Sequence, residues 1–135
     1  MKKFNAFLTM GIFVLIAGIL FTGCKKKEDP IIPAFTVTSS TVIDQNTGIA
    51  YLQFSGKCTN DDVKMTKVTI NDPLSVQSFI YNLNGTSFVK NEEFGLQDSN
   101  VAYVKELGTW TFIFVGDRTA DGVSFSSNYA LTVSK

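Results

Sequence analysis

The sequence predicts an all-β domain, an antiparallel two-sheet sandwich of about seven short strands. Three observations carry that expectation. Apolar residues after residue 33 recur with period two almost throughout, the signature of half-buried strands. No window of helical length shows an i, i+3, i+4, i+7 stripe. Turn signals punctuate the runs at Asp72-Pro73, at Asn84-Gly85 and across Gly116–Gly122.

Phe35 and Val37 begin the first strand. Ile49 to Cys58 is the second, with Ala50, Leu52, Phe54 and Cys58 on one face. A third runs from Lys67 to Asn71, stopped by Asp72-Pro73. Val76 to Leu83 is a fourth. Asn84-Gly85 is the strongest two-residue hairpin signal, so Thr86 to Val89 is expected to fold back on it. Between Asn91 and Lys105 the pattern thins to short strands around Phe94 and Val101–Tyr103.

The last two strands are the clearest. Thr109 to Val115 places Trp110, Phe112 and Phe114 on one parity. After a hairpin loop from Gly116 to Gly122, Val123, Phe125, Tyr129, Leu131 and Val133 share one parity, and Ser124, Ser126, Asn128, Thr132 and Ser134 the other. That is one buried face and one wet face. Trp110, Phe112 and Phe114 are therefore expected in the core beside Val123, Phe125 and Leu131. The unit from Leu107-Gly108-Thr109-Trp110 through Phe114 and on from Gly122 resembles the F–G hairpin of immunoglobulin-like and fibronectin-type-III domains. The resemblance implies an immunoglobulin-like sandwich over residues 34–135. Trp110 stands where those families usually carry Tyr, so a tyrosine-corner hydroxyl is missing. An edge-closed barrel or jelly roll is the competing architecture.

The first quarter of the chain reads differently. Met1-Lys2-Lys3 is a short basic start, and no charge follows from Phe4 to Gly23. A basic region ahead of an apolar one is the pattern of a secretory signal peptide. Phe21-Thr22-Gly23-Cys24 resembles the lipobox of bacterial lipoproteins. In that family the Cys sulfur receives a diacylglycerol, cleavage occurs before the Cys, and its new amino group is acylated. The resemblance implies a signal peptide over residues 1–23, a lipid-modified Cys24, and a tether over residues 24–33. Each buried CH₂ contributes about 0.8 kcal/mol, so two or more chains anchor firmly without a spanning helix. Lys25-Lys26-Lys27-Glu28-Asp29 resembles the charged stretch after the lipidated Cys in Bacteroidetes lipoproteins. The expected address is the outer membrane, on its periplasmic or its cell-surface face.

Composition excludes several functions. The chain has 12 Lys+Arg against 12 Asp+Glu and no His. A neutral balance offers no field for nucleic acid. The absence of His removes the commonest general base and zinc ligand. No Gly-x-Ser-x-Gly elbow, phosphate loop or His-Glu-x-x-His run is present. Glu92-Glu93 are adjacent, so on a strand they point to opposite faces and cannot act as a glycosidase pair. No catalysis, cofactor or metal is expected. Cys58 shares the parity of Leu52 and Phe54 and reads as a small buried hydrophobe without a disulfide. Asp61 and Asp62, or Asp117 and Asp121, sit in oxygen-rich loops of the kind calcium uses, but without EF-hand spacing. Asp and Asn are common in turns for local hydrogen-bonding reasons, and turn chemistry is the expected reading.

What remains is aromatic. Tyr51, Tyr81 and Tyr103 are the candidate binding residues, apolar in body and polar at the tip. If they converge they form a platform for a glycan or a protein. The expected function is a non-catalytic binding or interaction module for protein or glycan, held at the membrane by a lipid. The alternative is a structural envelope protein or an enzyme inhibitor on the same fold. A long uncovered edge strand would favour a protein partner or polymerisation by strand addition.

Overall fold

A computed structural model describes residues 30–97 and 101–135. The signal peptide, Cys24 and most of the tether lie outside the described residues. The folded unit begins at Ile31. The end of the expected tether belongs to it: Pro33 is buried, and Asn60 donates to Ile32 O (3.1 Å) while accepting from Ala34 N (2.8 Å).

The described chain is all β, in two antiparallel sheets. The strands are β1 (Phe35–Ile43), β2 (Ala50–Cys58), β3 (Val63–Asn71), β4 (Ser78–Phe88), β5 (Phe94–Gly95), β6 (Tyr103–Val104), β7 (Gly108–Arg118) and β8 (Ser124–Val133). One sheet is ordered β1-β2-β5, with β6 also on β2; the other is β4-β3-β7-β8. β5 faces Ser55 and Gly56, and β6 faces Tyr51 and Leu52. The two short pieces thus share one flank of β2 as an interrupted strand. Counted so, the sandwich has the expected seven strands, three in one sheet and four in the other.

The core lies between the sheets. Trp110, Phe112 and Phe114 are all essentially inaccessible, as are Leu52, Phe54 and Tyr103. Phe54 is the hub, with its ring centroid 5.1 Å from Trp110, 5.0 Å from Phe112 and 5.2 Å from Tyr103. Such tilted and edge-on pairs add to the hydrophobic gain of burying large rings. Trp110 lies opposite Leu131 and Phe112 opposite Tyr129, while Phe125 falls opposite Gly116. Val123 departs from expectation. It precedes β8, belongs to the turn, and is 45% exposed.

Two further expectations are corrected. β3 starts at Val63, four residues before Lys67, because a bulge hides its first half from a period-two reading. The register against both neighbours shifts between Met65 and Lys67. Val63 and Met65 point inward before the bulge, Val68 and Ile70 after it, so the buried parity changes from odd to even. Gly116 sits opposite, and a Cβ there would collide with the carbonyl oxygen of Lys64. The bulge brings β3 closer to β7 than a side chain allows.

Asn84-Gly85 does not reverse the chain. β4 continues through it as one strand from Ser78 to Phe88. Both residues have the positive φ that a primed turn demands (49° and 78°). Here they let Leu83, Asn84 and Gly85 loop out between the Asn82 and Thr86 rungs, with Thr86 Oγ1 donating to Leu83 O at 2.5 Å. The local conformation is the one the dipeptide favours. The ladder on β3 carries the strand onward past it.

Candidate functional site

The three candidate tyrosines do not converge. Tyr103 is 1% exposed, and its hydroxyl donates to Leu96 O at 2.7 Å. That bond is a structural tie across the interrupted strand. Tyr81 faces inward on β4, half-buried against the core, opposite Val68. Tyr51 turns the other way, onto the outer face of β2, between Val42 and Val104. An aromatic platform needs a contiguous exposed patch, and two of these residues turn toward the core while the third lies on the outer face.

The acidic loops come together around a cation that the protein itself supplies. Arg118 Nε donates to Asp61 Oδ2 at 2.7 Å, and its Nη1 lies 3.1 Å from Asp121 Oδ2. Asp62 accepts from Lys90 N at 2.7 Å through its carboxylate, and from Thr119 N at 3.0 Å through its backbone oxygen. The guanidinium's pKa is raised, chiefly by its hydrogen bond to Asp61. A bivalent, charge-assisted contact of this kind holds the β2–β3 loop to the β7–β8 loop. Asp117 accepts from Ser124 Oγ at 2.6 Å. Among the described residues, no three metal-ligating side chains gather.

Glu92 accepts from Val89 N within its own turn, and Glu93 faces Lys57 at 3.8 Å. Cys58 is 1% exposed and free, with Sγ 3.5 Å from Asn60 Oδ1. A shallow trough of about 400 Å³ lies on the outer face of β7 and β8, between Thr111, Ile113, Asn128 and Ala130.

The sheet edges are the most distinctive surface. β1 (nine residues), β4 (eleven) and β8 (ten) form three of the sheet borders, and none carries a charged side chain. Natural edges are blunted by charges, proline, bulges or shortness, because unpaired N–H and C=O groups template another strand. The Asn84-Gly85 bulge blunts β4, and β5 and β6 are two residues each. β1 and β8 have no such device. They lie on the same side of the sandwich, in contact where Phe35 meets Phe125 at 5.8 Å. From Thr38 to Ile43 every β1 residue is exposed. The sequence reading split β4 in two at Asn84-Gly85. It did not show which strands are borders, since that depends on the order of strands in each sheet.

Comparison with protein-family models, with curated proteins and with solved structures finds no match to this chain.

Proposed function

We propose that this chain is a lipid-anchored lipoprotein of the bacterial outer membrane, whose sandwich is a non-catalytic interaction module for a protein partner. The lipobox-like Phe21-Thr22-Gly23-Cys24, behind an uncharged stretch, supports the anchor. The observation that carries the protein partner is the pair of long, uncharged, unblunted edges at β1 and β8. An extended strand added there gains main-chain hydrogen bonds along its length. The glycan reading loses its support, because Tyr81 and Tyr103 turn toward the core and leave Tyr51 alone on the outer face.

Two experiments test this reading. Mass spectrometry of the membrane fraction is expected to find Cys24 as a diacylated or triacylated N-terminus. A free thiol there, or a Cys24→Ser variant still cleaved and retained in the membrane, overturns the anchor. For the module, a photo-crosslinking amino acid is placed in living cells at Ser126 on the β8 edge, and separately at Gln53 on the outer face of β2. Protein adducts are expected from the edge position alone. Equal adducts at both positions, or none at Ser126, remove the case for a working edge.

A further inference from the structure

We infer that the second half of β1, from Ser39 to Ile43, accepts an extended, uncharged segment of another protein, which adds a strand to the sheet of β1 and β2 and lays apolar side chains over Tyr129 and Leu131. This rests on the reading that a sheet edge is the working surface, and it names which edge and the chemistry of its occupant.

The two sheets differ in width, three strands against four. Where β1 begins, three are enough. Phe35 stacks on Phe114 and reaches Phe125 of β8, and both Phe35 and Val37 are buried. Further along, the residues of the same parity are Ser39, Thr41 and Ile43, and all three are exposed. Registers fix what lies at their level. Ser39 is opposite Phe54, whose ring packs on Trp110 and Phe112, and these are opposite Leu131 and Tyr129 of β8. Phe54, Trp110 and Phe112 are closed in, while Tyr129 and Leu131 are only partly covered. β1 changes from large apolar residues to small hydroxyls where β8 keeps its large ones. Along this stretch the core lacks a fourth strand on one side.

The backbone of β1 is in phase to hold one. Asp44 N donates to Ile49 O at 2.9 Å, and Thr59 N to Ala34 O at 2.8 Å. Both pairs continue the β1–β2 register, which sets Ile43 opposite Ala50 and Phe35 opposite Cys58. Bonded pairs alternate along an antiparallel ladder. Even-numbered residues of β1 therefore bond to β2, and odd-numbered residues turn their N–H and C=O to the border. With Phe35 and Val37 buried, the accessible groups are those of Ser39, Thr41 and Ile43, which match an extended segment of about five residues. In an antiparallel addition, the residues bonded to these three share their inward face. The same residues of the incoming segment thus make the main-chain bonds and cover Tyr129 and Leu131.

Charge selects the occupant. Neither β1 nor β8 carries a charged side chain. A charge brought between them would lose water and meet no partner, and a proline would lack the N–H. The fitting segment is uncharged and apolar at alternate positions. A second β1 is a poor occupant, since two of its three inward residues on this stretch are small hydroxyls.

The test uses the full-length chain in detergent and, as probe, a blocked heptapeptide that alternates threonine with valine or leucine. Amide exchange at Ser39, Thr41 and Ile43 is expected to slow by about ten-fold or more, while Thr38, Ser40 and Val42, already bonded to β2, change little. The same peptide with a central proline is expected to protect nothing. Thr41→Pro removes a border N–H and leaves the β2 ladder bonded, so binding is expected to weaken by about ten-fold or more while the thermal melt stays cooperative. Ser39→Leu supplies apolar cover from β1 itself. It is expected to raise the melting temperature and to weaken peptide binding. The inference is overturned by unslowed exchange at millimolar peptide, by slowing at Ser126, Asn128 and Ala130 of β8 in place of β1, or by full binding to both variants. Protection of β1 that grows with protein concentration in the absence of peptide makes the occupant a second copy, and also overturns it. The module reading survives each of these results if the Ser126 photo-crosslinker traps another protein in cells. Protection at β1 with no adduct at Ser126 leaves the strand acceptor standing and removes the case for β8. If both fail, both readings fall.

Discussion

Trp110 does two jobs with one side chain. Its ring fills the centre of the core, and its indole N–H donates to Glu106 O at 3.1 Å. In immunoglobulin-like sandwiches a tyrosine hydroxyl commonly reaches back along the chain at this corner. Here indole nitrogen replaces phenol oxygen, so the missing hydroxyl costs the corner nothing. Trp110→Ala is expected to destabilise by about 3–5 kcal/mol, as a large buried ring is lost. Trp110→Phe keeps much of the bulk and leaves the Glu106 carbonyl without its donor, a loss of about 1 kcal/mol beyond the cavity. Ile113, half-buried on the opposite parity, is the control. Ile113→Ala is expected to be milder than Trp110→Ala in a denaturant melt, and the reverse order would mean that the register is inverted.

At the scale of the element, the bulge in β3 sets what a reader of the sequence sees. Where alternation is unbroken, in β2, β7 and β8, parity alone identifies the buried face. In β3 the extra residue moves the apolar set from odd to even positions, and an alternation test sees only the half after it. In β4 the turn-like dipeptide is read correctly as local conformation and wrongly as chain reversal. The ladder to β3 overrides it, and that pairing is non-local. The candidate tyrosines do not gather for a related reason: parity groups residues along one strand, and Tyr51, Tyr81 and Tyr103 sit on three different strands whose arrangement is non-local. Gly116→Ala tests the close approach at the bulge. A methyl group against the Lys64 carbonyl meets backbone that cannot rotate away, and a loss of about 1–3 kcal/mol is expected. The β1–β2 turn offers a pH probe. Asp44 accepts from Asn46 N at 2.8 Å, and that bond, followed by Thr47, lowers the carboxyl's pKa. The charged form is favoured by the fold, so the turn's contribution is complete above the unfolded value of about 3.9 and is lost as pH falls through the lower folded value. The Asn46 amide resonance is expected to titrate with a midpoint below that of an unstructured Asp peptide. A midpoint at or above it contradicts the bond.

For the whole molecule, the polar end and the apolar middle divide the labour. The aromatic core supplies the non-directional gain, and the Arg118–Asp61–Asp121 contact joins loops 57 residues apart in sequence. Arg118→Lys keeps the charge but cannot reach both carboxylates with a rigid fork. Hydrogen exchange at Thr119 N, which bonds Asp62 O, is expected to quicken in that variant, while amides within β2 and β7 keep their protection. Uniform quickening across both sheets would show that the contact sustains the whole fold rather than one end of it.

The fastening of the N-terminal chain has a mechanical meaning. Asn60 grips the backbone at Ile32 and Ala34, Pro33 is buried, and Phe35 stacks on Phe114 at 4.1 Å. Any load drawn through that chain therefore arrives first at a short, stiff junction, before it reaches the β1–β2 ladder. If the junction yields, β1 is peeled from Phe35 onward and strips β2 of one bonded flank. Among the described residues the other flank is held by the two-residue β5 and β6 and by single backbone bonds from Asn91, Leu96 and Lys105. The sandwich would then give way from the sheet with the weaker second border, and the speed of that failure under load is set by how firmly one asparagine and one phenylalanine hold.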